Sequence, residues 1–183
     1  MENMPAVPFP RSYWVLPGKL LAGCYPGDKD VRLAQNKLTG LVQCGIRQVI
    51  SLMEEGEVDH KGQAFVPYVA DLTRLAGQLG SSVECVRMPI RDTRTPAREE
   101  MRSILDTIDA AIGQNLSVFV HCWGGKGRTG TVVGCYLARH GLAAGDQALF
   151  CIQELRRNDP THCEPSPENE VQSEMVRSWK TGE

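Results

Sequence analysis

The chain has 183 residues, 42% of them hydrophobic and 23% charged, and its 20 Lys and Arg against 22 Asp and Glu give a formal net charge of -2. That length supports one well-buried core and is short for two, and the near-neutral balance excludes a dedicated nucleic-acid binder, which carries a basic stripe. An odd count of seven cysteines at irregular spacing, an N-terminus without the pattern of a secretory leader, and no apolar run of bilayer-spanning length point to a cytoplasmic protein with free thiols and no stable membrane insertion.

Residues 1–10 contain three prolines and read as an extended N-terminal arm. Tyr13 to Leu16 and Leu20 to Gly23 are short strands around a Pro17-Gly18 turn. A helix over Asp30 to Cys44 places Val31, Ala34, Leu38, Leu41 and Val42 on one face and stops at Gly45. Gln48 to Met53 is a buried strand, Glu54 to Lys61 a charged loop, and Val66 to Leu79 a helix. A strand from Val83 to Met88 runs into the Pro-bounded polar stretch Pro89 to Pro96. Thr95 as N-cap with Pro96 at the first helical position then starts a helix that continues to about Gln114. Leu116 to Val120 is a strand, and a helix begins near Arg128 and runs through Val132, Val133, Tyr136 and Leu137. An amphipathic helix covers Ala144 to Arg157, and a last one starts at Ser166-Pro167-Glu168. This alternation predicts a single α/β domain whose mostly parallel central sheet is flanked by helices.

The most informative stretch is His121 to Gly130, HCWGGKGRTG. A strand, a Gly-rich turn and a helix can curl the backbone so that successive N–H groups and the positive helix end converge on one point, an anion site. Cys122 stands at the lip of that curl, where a helix N-terminus and neighbouring cations favour the nucleophilic thiolate. Arg128 offers a planar fork for two oxygens of a tetrahedral oxyanion, which a lysine could not match. Gly124, Gly125 and Gly127 allow positive φ angles and close backbone approach. Thr129 places a hydroxyl where it could donate to a departing sulfur, and His121 is suited to orient the loop through hydrogen bonds. Taken alone, a lone cysteine or a glycine cluster is ordinarily inert structure; it is their coincidence at this spacing that carries the reading.

At these residues the chain resembles the cysteine-dependent protein tyrosine and dual-specificity phosphatases, whose signature is H-C-x-x-G-x-G-R-[ST]. Leu16-Pro17-Gly18 to Gly23, Val49-Ile50-Ser51-Leu52 followed by Glu54-Glu55-Gly56-Glu57, and Ser166-Pro167-Glu168 up to Gln172 extend the likeness over most of the chain. Leu21 to Asp30, Cys44-Gly45-Ile46 and Cys122 to Gly125 are similar to the kinase-associated phosphatase branch. The resemblance implies a dual-specificity phosphatase-like fold over residues 11–183, a phosphorylated protein as substrate, and no metal or other cofactor. It implies that Cys122, Trp123, Gly124, Gly125, Lys126, Gly127 and Arg128 surround the phosphoryl group. It also implies an acid about thirty residues before the cysteine, and Asp92 stands at that interval. Asp71, inside a helix, and Asp59, in a charged loop, are weaker rivals.

Lys126 departs from that branch. A lysine there resembles the loop of phosphoinositide 3-phosphatases, so an inositol phosphate is the alternative substrate, although the second lysine of those enzymes is replaced by Trp123. A non-catalytic phosphate-binding scaffold and a rhodanese-like sulfurtransferase are the remaining classes. His162 and Cys163 lack a partner pair at metal-ligand spacing. Cys85 and Cys135 are candidates to trap an oxidised Cys122 as a disulfide, and nothing in the sequence sets the oligomeric state.

Overall fold

The computed structural model describes residues 5–183. A five-stranded sheet has the order β1-β2-β5-β3-β4, with β1 Ser12–Leu16, β2 Leu20–Gly23, β3 Ile46–Ser51, β4 Glu84–Arg87 and β5 Ser117–His121. Only β1 and β2 pair antiparallel, because the Pro17-Gly18 turn reverses the chain at once, with Gly18 at φ +69°. The β2–β5, β5–β3 and β3–β4 pairs are parallel, and each such connection needs a crossover long enough to hold a helix.

The helices α1 Val31–Gln43 and α2 Val69–Gln78 cover one face, and α3 Arg98–Gly113, α4 Gly127–Arg139, α5 Asp146–Leu155 and α6 Glu170–Ser178 the other. Strand alternation decides which side chain feeds which core. In β5, Val118 and Val120 pack with Ile104, Leu105, Val132 and Ile152, whereas Phe119 packs with Leu38, Leu41 and Leu72. Leu20 and Ala22 against Leu21 repeat the division in β2. A sheet buried on both faces explains why the strands read as apolar runs.

Of the expected arm, residues 1–4 lie outside the described residues. Residues 5–10 form no helix or strand, but Phe9 is buried and its ring meets that of Phe119 edge-on at 5.9 Å. Helix α2 begins at Val69, not Val66, and α5 at Asp146, not Ala144; two further starts differ in their caps as well. Helix α3 begins at Arg98, not Pro96, with Ala97 as N-cap and its N–H donating to the Glu100 carboxylate at 2.7 Å, so a downstream acid does the capping assigned to Thr95. Helix α6 begins at Glu170, capped by the Asn169 side chain, which accepts from the Gln172 N–H. The Ser166 hydroxyl is used elsewhere and donates to the Lys126 carbonyl at 2.7 Å. The strand expected at 48–53 runs from Ile46 to Ser51, immediately after Gly45; Leu52 has left the ladder yet still donates its N–H to the His121 carbonyl. Among the described residues no helix is long and apolar enough to cross a membrane.

Candidate active site

In an open parallel sheet, sites form beyond the carboxyl ends of the strands, where neighbouring crossovers diverge. Here that place is the end of β5. His121 pairs with Gly23 of β2 on one side and with Ser51 of β3 on the other, so the next residue, Cys122, emerges between two strand ends. Residues 122–126 then turn into α4, whose first residue is Gly127.

The carbonyls of this loop are held from outside. His121 Nδ1–H donates to Cys122 O at 3.1 Å, the Tyr25 N–H to Trp123 O at 3.0 Å and Arg11 Nη2 to Gly124 O at 2.7 Å. Lys126 O accepts from Ser166 Oγ and from the Gly130 N–H. Because each peptide unit is planar and trans, a carbonyl fixed on one side turns the following N–H to the other. The result is a cradle of amides facing inward, and the Gly125 N–H points at Cys122 Sγ, 3.3 Å away. Gly125 needs to be glycine twice over, for φ +74° and because a Cβ would lie 2.6 Å from Cys24 N and from Gly23 C. Gly124 and Gly127 do not take positive φ; a Cβ on Gly127 would instead meet the Glu168 carboxyl at 2.6 Å, while Gly124 has room for one.

His121 is fully buried between two fixed partners, with the Tyr68 hydroxyl donating to Nε2 at 2.7 Å. Burial depresses its pKa from 6.5 to about 4, which keeps the ring neutral and the tautomer defined. Arg128 is 1% exposed and is gripped by Glu57, each Nη donating to one carboxylate oxygen at 2.7 Å. Nη1 also reaches Ile90 O at 3.1 Å, and Asp92 Oδ1 lies 2.9 Å from Nη2. Burial works against the guanidinium charge, but hydrogen bonding to Glu57 and the negative groups nearby outweigh it and raise the pKa above the ordinary value. Among the described residues, Arg128 Nε is buried without a hydrogen-bond partner.

The cleft over Cys122 has a volume of about 390 Å³ and brings together the expected Cys122, Trp123, Gly124, Lys126, Gly127, Arg128 and Asp92. Asp92 is fixed by its own turn, in which Thr93 takes φ +60° and Arg94 N–H donates to Arg91 O. Helix α6 pins the same turn, through Asn169 Nδ2 to Thr93 O at 2.9 Å. The rivals fall elsewhere: Asp71 pairs with Arg74 on α2, and Asp59 accepts from the amides of Lys61 and Gln63. The Thr129 hydroxyl is buried with no hydrogen-bond partner among the described residues, so it makes no bond to Sγ here.

Sequence reasoning missed Arg11, His60 and Glu168 in the cleft wall, and Glu57 beneath it. Glu57 stands in a charged loop whose run of glutamates carries no signal as to which one turns inward. The His60 ring meets that of Trp123 at a tilt of 56°, centroids 4.3 Å apart. Lys126, in turn, is paired with Glu164. Cys85 and Cys135 have thiols pushed up by burial, that of Cys85 to about 11, and all seven cysteines are free. Among the described residues no group of three His, Cys, Asp or Glu is placed to hold a metal ion.

Residues 10–166 match the family described as Swiss Army Knife protein, DSP-PTPase phosphatase domain. The chain belongs to this family. It is similar to mouse dual specificity protein phosphatase CDC14B, 26% identical over 155 residues that cover 78% of this chain and 27% of the mouse protein. Human cyclin-dependent kinase inhibitor 3 is 28% identical over 130 residues, 70% of this chain and 58% of the human one. The chain thus spans about a quarter and a little over half of these two relatives. A crystal structure of kinase associated phosphatase superposes with a TM-score of 0.66, at 22% identity, over 91% of this chain and 90% of that one. The dual-specificity phosphatase family and fold, with likeness to the kinase-associated branch, are therefore those of this DSP-PTPase chain.

Proposed function

We propose that this DSP-PTPase chain hydrolyses phosphotyrosine and phosphoserine or phosphothreonine esters of proteins through a cysteinyl-phosphate on Cys122, with residues 11–183 as the catalytic unit. One observation carries the reading: Cys122 Sγ accepts from the Gly125 N–H in the same cleft that Arg128, with its buried and unpaired Nε, lines. An orphaned donor on a buried cation is costly unless a ligand satisfies it, and a tetrahedral oxyanion would take Nε and the adjacent amides together.

In the first step Cys122 sulfur attacks phosphorus in line; the S–P bond forms, the P–O bond breaks, and Asp92 delivers its proton to the leaving oxygen. Water then attacks the phosphocysteine while Asp92 takes a proton from it, so that the S–P bond breaks and inorganic phosphate leaves. Arg128 and the loop amides hold the equatorial oxygens in both steps, so positioning and electrostatic stabilisation supply most of the effect. The aromatic pair of Trp123 and His60 suits a flat aryl ester beside the cradle. Free cysteines throughout suit a reducing, cytoplasmic setting.

Hydrolysis of p-nitrophenyl phosphate by the wild type, abolished in Cys122→Ser, is the expected result. Phosphate binding without turnover would make the protein a scaffold, and cyanide-dependent sulfur transfer would make it a sulfurtransferase; either overturns the proposal. A panel of phosphotyrosine, phosphothreonine and inositol phosphates then sets the substrate class.

A further inference from the structure

Lys126 is the loop residue whose charge could draw in a second phosphate, and its ammonium is already taken. Its Nζ is hydrogen-bonded to the Glu164 carboxylate, with the lysine side chain 27% exposed. The stem folds back across Gly124, where an added Cβ would lie 3.7 Å from both Cγ and Cε. Glu164 is ionised under ordinary conditions, since Lys126 holds its carboxyl below the usual range, with Arg11 and Arg156 adding to the effect.

The carboxylate is carried by a segment built to hold it there. Arg156, fully buried at the end of α5, donates to Glu164 O at 3.0 Å and to Thr161 O at 3.1 Å. Buried Asp159 accepts from the Thr161 N–H at 2.7 Å. Of the other cations lining the cleft among the described residues, Arg11 has Nη2 committed to Gly124 O but no carboxylate partner, and both terminal nitrogens of Arg128 are on Glu57. The carboxyl groups of Asp92 and Glu168 also line the cleft. A phosphoryl group in the cradle has its own donors; a second one on the same substrate would face a neutralised lysine and like charges.

We infer that Glu164 is a specificity-determining residue that cancels the charge of Lys126 and so restricts the cleft to phosphate esters without a second phosphate close by. This rests on the phosphatase reading above and narrows its substrate class.

The test measures binding and does not depend on turnover. In the Cys122→Ser background, calorimetric titration compares inositol hexakisphosphate with inorganic phosphate for the parent, Glu164→Gln, Glu164→Asp, and Glu164→Gln combined with Lys126→Met. Glu164→Gln should raise the affinity for inositol hexakisphosphate relative to inorganic phosphate by about tenfold or more. Glu164→Asp should stay within about threefold of the parent ratio, and Lys126→Met should remove the gain. An unchanged ratio in Glu164→Gln, or a gain that survives loss of Lys126, overturns the inference. Absence of turnover of any phosphate ester by the wild type would instead sink the phosphatase reading, and the binding ratio would still decide the role of Glu164.

Discussion

Glu57 and Arg128 form a two-pronged ion pair under the floor of the cleft, both guanidinium Nη atoms on both carboxylate oxygens at 2.7 Å. The Arg128 side chain is 1% exposed and that of Glu57 11%, so neither charge is well solvated. Removing one partner of such a pair leaves an uncompensated buried charge, at a cost of about 3 to 5 kcal/mol. Glu57→Ala should therefore lower stability to denaturant, by less than that amount because Asp92 Oδ1 still pairs with the guanidinium. It should also free Arg128 to pair wholly with Asp92, now 2.9 Å from Nη2, and so weaken both phosphate binding and proton transfer. Glu57→Gln, which keeps one acceptor, should fall between. Wild-type stability and KM in Glu57→Ala would show that the pair positions nothing.

Asp92 is 44% exposed at the side chain, on a turn held by α6, and so can meet a leaving oxygen above the cradle. A general acid matters most when the departing group is a poor one. In Asp92→Asn, kcat/KM should fall by about 10² to 10⁴ on an alkyl phosphate and far less on p-nitrophenyl phosphate. Equal losses on the two substrates would reject the acid role.

Gly125 is where the loop passes closest to β2. Gly125→Ala brings a methyl to 2.6 Å from backbone atoms of Gly23 and Cys24, at a φ of +74° that alanine disfavours. Backbone cannot yield as a side chain can, so the loop should shift and carry the Gly125 N–H off Sγ. Expected are a loss of about 1 to 3 kcal/mol in stability and a larger proportional loss of activity. Gly124→Ala, whose methyl would meet only side-chain atoms of Lys126 and Arg11 at ordinary contact distances of 3.7 to 3.9 Å, is the control and should retain the fold. Comparable melting temperatures for the two variants would contradict the geometry.

The layer architecture and the loop were legible in the sequence because both are local patterns. Val118, Phe119 and Val120 announce a strand buried on both faces, and Cys122 to Arg128 lie within one turn of each other along the chain. Asp92 was reachable only through the resemblance, since a polar turn between arginines carries no sign of direction. Glu57, Arg11, Glu164 and Glu168 were not legible as partners of the loop, because each arrives from a segment distant in sequence and its pairing depends on how the crossovers pack. The α3 and α6 starts show the same limit at short range. Thr95 and Ser166 are good caps by type, yet Glu100 and Asn169 make the bonds, and Ser166 holds Lys126 O instead.

His121 links loop geometry to pH. Its pKa is about 4 in the folded protein, against about 6.5 when unfolded, so between these values the unfolded chain binds more protons. The stability tied to a neutral His121 is therefore complete above about pH 6.5 and is lost as pH falls toward 4, a total of about 3 kcal/mol. The neutral ring is the form in which Nδ1–H donates to Cys122 O while Nε2 accepts from Tyr68, and protonation makes Nε2 a donor and so reverses the second of these. His121→Asn removes the titrating group and keeps a donor near Cys122 O. Urea unfolding of both proteins from pH 7 to pH 4 should show the wild type losing about 3 kcal/mol relative to the variant. Other titrating groups cancel in that difference, so parallel pH profiles would mean that His121 is not held neutral by burial.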